Sequence, residues 1–356
     1  MNAIPEGAVP LRIRSFLELA VRLRASDIHL VSGHSPVFRV LGVLSPVDLP
    51  PIDASYLKDI IFEMLTDRQR QVFDDTHELD FSYQGLEGYY FRVNVHQERG
   101  GIAVTIRLLP RSLTSFADLG LPPVVGELAL RRAGFILIVG RAGSGKTTTM
   151  THMVEHINRN QQRKVITIED PIEYVHTSQK SLIVQREVGA DTQNFATGLK
   201  YALRQDPDVV VIGEMRDLES IAMALTTAET GHLVLGTIHA PDAIEAINRI
   251  IDVYPGDKQN QIRVQLAENL LAVVGQQLLP SKDESKRILA SEIIVSSLAI
   301  RNMIRRNALA EIRSQMETGR EGMHTIEQCL SALVKKGLVT SDVAQSHAKF
   351  PSLLEF

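Results

Sequence analysis

The rhythm of hydrophobic and polar positions changes near residue 134, and the change divides the chain. Before it, Ile13, Phe16, Leu17, Ala20 and Val21 recur at i, i+3, i+4, i+7 and i+8, the spacing of one buried helical face. Ala25-Ser26-Asp27-Ile28-His29-Leu30 reads as a turn running into a strand, and residues 37–44 as a second strand. Tyr56, Leu57, Ile60, Ile61, Met64 and Leu65 make another helical stripe. Leu79-Asp80-Phe81-Ser82-Tyr83 alternates with period two, residues 85–88 supply a turn, and 89–95 and 102–108 continue as strands. A small α+β domain over residues 1–110 is expected. A linker containing Pro122-Pro123 follows over 111–126.

From Gly134 short apolar runs alternate with amphipathic stretches. The strand candidates are 135–139, 165–168, 209–212 and 233–237, with helices at 147–158, 195–204 and 218–230 between them. Strands without polar alternation, separated by helices, mean a mostly parallel sheet covered on both faces. This predicts an α/β domain over 127–295. Beyond Pro255 there are helical stretches, then a late strand at 289–295. Helices at 299–305, 309–317 and 325–336 make a C-terminal helical region, 296–356.

Composition narrows the class. The chain of 356 residues is 44% hydrophobic and 22% charged, enough for two packed domains. A net charge of −4, with no Trp and 5% aromatic residues, offers little to a nucleic-acid strand. Cys329 is the only cysteine, which excludes an intrachain disulfide and a cysteine-based zinc site. No apolar run approaches the roughly 20 residues of a membrane span. Residues 1–10 lack the basic start and apolar core of a signal peptide, so a cytoplasmic protein is expected.

The chemistry gathers at the second domain's strand tips. Gly140-Arg141-Ala142-Gly143-Ser144-Gly145-Lys146-Thr147 satisfies G-x-x-x-x-G-K-[ST], the P-loop pattern, between a buried strand and a helix. The glycines let backbone N–H groups turn toward phosphate oxygens, and the helix N-terminus adds favourable partial charge. Lys146 is expected on the β- and γ-phosphates, and the Thr147 hydroxyl on Mg²⁺, with Thr148 next along the helix. The strand 209–212 delivers Glu214, a second Mg²⁺-shell candidate in the Walker B position. The strand ending at Ile168 delivers Glu169, Asp170 and Glu173, and the strand ending at Thr237 delivers His239, with His232 at its start. Open sheets of this kind bind ligands at those carboxyl ends. Glu214 and Glu169 both remain candidates for orienting an attacking water.

Four ordered motifs carry a resemblance: 140–147, Ile166-Thr-Ile-Glu-Asp-Pro-Ile-Glu173, Val211-Ile-Gly-Glu-Met-Arg-Asp217 and Thr230-Gly-His-Leu-Val-Leu-Gly-Thr-Ile-His239. With Ala25–His29, Phe91–Asn94, Leu203–Asp208 and Ala299–Arg305 they resemble the PilT/PilU family of secretion-type ATPases, over about 16–338. The resemblance implies a RecA-like P-loop ATPase domain behind a smaller PAS-like N-terminal α+β domain, assembled as a homohexamer. It implies ATP hydrolysis driving type IV pilus retraction, with ATP and Mg²⁺ bound. It also implies an inner-membrane platform protein at the pilus base as partner, and a paralogous motor ATPase as a further one. Arg92 and Arg107 sit at the positions of the family's arginine fingers, and Arg99 lies nearby.

The sequence departs from that family at Arg141-Ala142, Gln205 and Arg306. Alternatives are an accessory paralogue, an assembly or secretion ATPase, or a RecA-type nucleic-acid motor. At 299–306, Ile300, Met303 and Ile304 form one apolar stripe, which leaves Arg301, Arg305 and Arg306 at its sides for an acidic partner.

Overall fold

The computed structural model describes residues 12–109, 113 and 118–356. Residues 12–109 and 113, with Pro171–Val175, make one compact unit; 118–170 and His176–Phe356 make another. Residues 1–11, and 111, 112 and 114–117 of the stretch read as a linker, lie outside the described residues.

The first unit begins with α1 (Ile13–Leu23), which buries Ile13, Phe16, Leu17 and Ala20 as its spacing requires. Six strands follow: β1 (Ala25–Val31), β2 (Val37–Val40), β3 (Val43–Pro46), β4 (Glu78–Leu86), β5 (Tyr89–Glu98) and β6 (Gly101–Leu108). They form one antiparallel sheet in the order β3-β2-β1-β6-β5-β4. Alternate residues face its core: Ile28 and Leu30, Phe91, Val93 and Val95, Ile102, Val104 and Ile106. Between β3 and β4 stand α2 (Ala54–Phe62), capped by Asp53, and α3 (Asp67–Thr76), opened by a Thr66–Gln69 capping box. Residues 37–44, expected as one strand, are a hairpin instead. Leu41 and Gly42 take φ of 50° and 83°, the left-handed pair that a tight two-residue turn needs.

The second unit opens with α4 (Pro123–Ala129), which starts inside the stretch read as linker. Then come β7 (Gly134–Val139), α5 (Lys146–Asn160), β8 (Lys164–Glu169), β9 (Leu182–Glu187), α6 (Phe195–Ala202), β10 (Val209–Ile212), α7 (Leu218–Glu229) and β11 (Leu233–Ile238). They are followed by α8 (Ala243–Asp252), α9 (Gly256–Asn269), β12 (Leu270–Pro280), β13 (Arg287–Val295), α10 (Leu298–Arg305), α11 (Ile312–Glu317), α12 (Ile326–Lys335) and α13 (Ser341–His347). The sheet runs β13-β12-β7-β11-β10-β8-β9, parallel throughout except for β13 at its edge. Phe135, Leu137 and Val139 face a core built with α6 to α11; Ile136 and Ile138 face α4 and α5. Both sides of β7 are thus buried, as its unbroken apolar run requires.

The structure corrects one expectation in the second unit and adds one strand. Leu270-Leu-Ala-Val-Val274, in the region where the sequence offers helical stretches and no strand before 289, begins the long strand β12. A continuous apolar run fits a buried strand or a buried helix equally, and pairing with β7 settles it. The added strand, β9, has only Leu182-Ile-Val184 as apolar signal, too short a run to declare a strand in the sequence. Among the described residues no helix is long and apolar enough to cross a membrane.

Candidate active site

Parallel strands bring their carboxyl ends to one edge, so the tips of β7, β8, β10 and β11 share one side of the second unit. From β7 the chain turns at Gly140, where a Cβ would lie 2.4 Å from both the Gln276 carbonyl oxygen and Ser144 Oγ; only glycine fits. Gly145 takes φ of 90° at the N-cap of α5, and no side chain caps that helix. A glycine at that position offers the first-turn N–H groups no capping side chain of its own. Ser144 is 5% exposed, and among the described residues its Oγ has no hydrogen-bond partner. These features fit an anion. Gly143 lies in open surroundings, Thr147 is half-buried, and Thr148 is exposed, its carbonyl accepting from His152 Nδ1 at 2.7 Å.

Lys146 is buried with its ammonium directed back along the loop. It donates to the carbonyls of Gly140 and Arg141 at 3.0 Å each and stands 3.4 Å from His239 Nδ1. His239 follows β11, and its Nε2 lies 3.1 Å from Glu214 Oε1. The other carboxylate oxygen of Glu214 accepts from Arg216 Nη2 at 2.8 Å. That hydrogen bond is the largest influence on Glu214. With the charges of Arg216 and Lys146 it holds the carboxyl below its ordinary range, against burial. The motif Val211–Asp217 contains Arg216, but nothing in its spacing shows which way the side chain turns, so the sequence alone assigns it no role.

Glu169 ends β8, beside β10. The N–H of Gly213, just past β10, donates to the Ile168 carbonyl at 2.8 Å, which holds the two acidic tips together. Glu169 Oε1 accepts from Thr167 Oγ1 at 2.6 Å and from Gln185 Nε2 at 3.0 Å. Glu173 is not at this edge. It belongs to the five residues that pack with the first unit, where it accepts from Arg92 Nη1 at 3.2 Å.

His232 is not brought to the others either. It stands before β11, at the end opposite His239, and its Nδ1 lies 3.1 Å from the Thr227 carbonyl and 3.0 Å from Thr230 Oγ1. The six residues of β11 place about 20 Å between the two histidines.

Arg92 and Arg107 occupy opposed positions on β5 and β6 of the first unit. Arg107 donates to Asp27 Oδ1 at 2.8 Å, and Asp27 is 5% exposed. Burial pushes the Asp27 carboxyl up, but the hydrogen bonds from Arg107 and Ser26 outweigh it and leave it below the ordinary value. Arg99 sits in the β5–β6 turn, largely exposed beside Glu98. In the C-terminal region Ile300, Met303 and Ile304 are buried as a stripe, yet the arginines beside them are engaged. Arg305 pairs with Glu268 of α9, Arg306 lies 3.7 Å from Glu311, and Arg301 Nε donates to Ser296 Oγ.

The oxygen donors Thr147 and Glu214 suit a hard cation such as Mg²⁺. Among the described residues no three His, Cys, Asp or Glu side chains cluster as a metal cage. A metal at this edge would complete its shell with phosphate and water oxygens, the usual habit of Mg²⁺ beside a nucleotide.

Among protein families, that of type II/IV secretion system proteins matches residues 5–349. The type IV pilus retraction ATPase PilT of Pseudomonas aeruginosa is 39% identical over 340 residues, 95% of this chain and 98% of that protein. The type IV pilus ATPase PilU of the same organism is 34% identical over 339 residues, 95% of this chain and 89% of that protein. A crystal structure of the pilus retraction motor PilT with bound ADP superposes with a TM-score of 0.90 at 41% identity, covering 97% of this chain and 99% of that one.

Proposed function

This chain belongs to the type II/IV secretion system protein family, and from that premise we propose that it is a motor ATPase whose ATP hydrolysis powers retraction of a type IV pilus. The observation that carries the reading is the line Lys146–His239–Glu214, which joins the phosphate-binding ammonium to the Walker B acid. A nucleotide-binding loop without work to do on the phosphates would need no such line.

Each residue then has a task. The α5 N-terminus, the Ser144 hydroxyl and Lys146 hold the phosphates. Thr147 and Glu214 hold Mg²⁺, which neutralises phosphate charge during transfer. Glu214, kept ionised by Arg216, makes a poor proton acceptor, which leaves Glu169 to orient the attacking water. His239 is a fixed relay between the two charges. Arg92 and Arg107 act as arginine fingers toward a neighbouring subunit of a hexamer. The ring works at the cytoplasmic face of the inner membrane, against a platform protein at the pilus base and beside a paralogous motor.

The test is made in cells and with purified protein. Pilus retraction should be lost in a deletion strain, return with the wild-type gene, and stay lost with Lys146→Ala. The purified protein should hydrolyse ATP without DNA. Hydrolysis that depends on single-stranded DNA would replace this reading with a nucleic-acid motor. Retraction that persists in the deletion strain, driven by a paralogue, would make the protein an accessory motor.

A further inference from the structure

The chain leaves the second unit after Asp170, lends five residues to the first, and re-enters at His176. Gln185 touches both ends of that excursion. Its strand β9 pairs with β8 in parallel, with Gln185 opposite Thr167 and Glu187 opposite Glu169. In that register Thr167, Glu169 and Gln185 share a face of the sheet. The Gln185 Oε1 accepts from the His176 backbone N–H at 2.8 Å, and its Nε2 donates to Glu169 Oε1 at 3.0 Å. The orientation of the carboxamide is settled by chemistry. A backbone N–H can only donate and a carboxylate oxygen accepts, so the oxygen must face His176 and the nitrogen Glu169.

The far side of His176 is anchored as well. Its ring is buried, 3.5 Å from Glu155 Oε2 on α5. Burial pushes the Glu155 carboxyl up, but His176, Arg159 and Asn158 together pull it down to about 2. Glu155 thus stays charged at physiological pH and holds the re-entry point against the helix that begins with Lys146.

We infer that Gln185 is a positioning residue for Glu169, setting its carboxylate relative to the P-loop helix through His176 and Glu155. The inference rests on the role proposed for Glu169 above. A carboxylate on a flexible side chain must be held within a fraction of an ångström to orient a water, and two donors on one oxygen restrict its torsions.

Two variants separate positioning from scaffolding. Gln185→Leu removes both hydrogen bonds. Gln185→Glu keeps an acceptor for His176 but sets a second carboxylate against Glu169. Both should lower kcat about ten- to hundredfold while KM changes less than about twofold. In Gln185→Glu the deficit should shrink as pH falls from 8 to 6. The paired carboxylates then share a proton, and the protonated one restores a donor. A scaffold that only anchors His176 would leave Gln185→Glu at wild-type kcat at every pH, and that result would overturn the inference. Glu169→Gln is measured alongside. If it turns over ATP normally, the role of Glu169 falls and the inference with it. If it is inactive while Gln185→Glu is normal, the inference alone falls.

Discussion

His239 Nε2 stands 3.1 Å from Glu214 Oε1, while the opposite ring nitrogen stands 3.4 Å from Lys146 Nζ. An ammonium can only donate and a carboxylate can only accept. A neutral imidazole with its proton on Nε2 satisfies both neighbours at once. His239→Ala should therefore lower turnover about ten- to hundredfold with a smaller loss of nucleotide affinity. Lys146→Ala should weaken binding itself, read by titration of a fluorescent nucleotide. Glu214→Gln should keep nucleotide, lose turnover and raise the Mg²⁺ concentration needed for half-maximal rate, whereas Glu169→Gln should leave that concentration unchanged. Equal Mg²⁺ dependence in the two glutamine variants would reverse the assignment of the acids.

Arg216 gives the site a pH signature. Its hydrogen bond keeps the Glu214 carboxyl below the ordinary range, so the ionised form persists as pH falls and is lost only on passing that lowered value. The stabilisation from the pair follows the same course, present above the unfolded pKa and lost below the folded one. In Arg216→Ala the carboxyl returns toward its ordinary range, and the acid limb of the kcat profile should move to higher pH. An unmoved limb would show that Glu214 does not set it.

Arg92 and Arg107 test whether the site is shared between subunits. Arg107→Ala alone is a poor probe, because it takes from the 5% exposed carboxylate of Asp27 its 2.8 Å guanidinium hydrogen bond and leaves only Arg39 Nε, at 3.9 Å. A destabilisation of about 1–3 kcal/mol is the expected side effect. Asp27→Asn with Arg107→Ala removes the charge together with its partner, and should melt close to wild type while failing to turn over ATP. Mixed hexamers of that double variant and Glu214→Gln should regain activity, since some interfaces pair an intact arginine with an intact P-loop. No recovery in verified mixed hexamers would place the arginines in a structural role.

Glu292 of β13 sets a second pH dependence, this one of stability. Burial, helped by Asp242 and Glu327 and opposed by the Ala243 N–H and Lys349, pushes its carboxyl up to about 7. The folded protein then holds a proton that the unfolded chain has released. Stability should fall as pH rises from about 4.5 to about 7, by an upper limit of about 3.4 kcal/mol. Glu292→Gln retains an acceptor for the Ala243 N–H, which lies 2.7 Å from Oε1. It should raise Tm at pH 8 and leave it unchanged at pH 5. A rise at both values would point to packing rather than to charge.

The parts of the fold legible in the sequence are those with an unambiguous period. The α1 stripe, the alternation in β5 and β6, and the buried runs of β7, β10 and β11 declare themselves locally. β12 did not, because a run buried on both faces has no period at all. The P-loop and acidic tips were legible because phosphate chemistry fixes residue types at fixed spacing. The partners that tune those tips were not. Arg216 on Glu214 and Gln185 on Glu169 are contacts made by folding, between residues whose separation along the chain has no rule.

The excursion of Pro171–Val175 makes the two units inseparable in the gene, although each has its own core. A fragment cut at residue 113 would lack the segment that supplies Glu173 to Arg92, and a fragment begun there would carry that segment with nothing to pack against. Exchange of the first unit between relatives by a single crossover would mate one protein's sheet with another's strap. A swap that takes the first unit without Pro171–Val175 should therefore part Arg92 from its Glu173, a partner 81 residues downstream, unless that stretch is carried across with it.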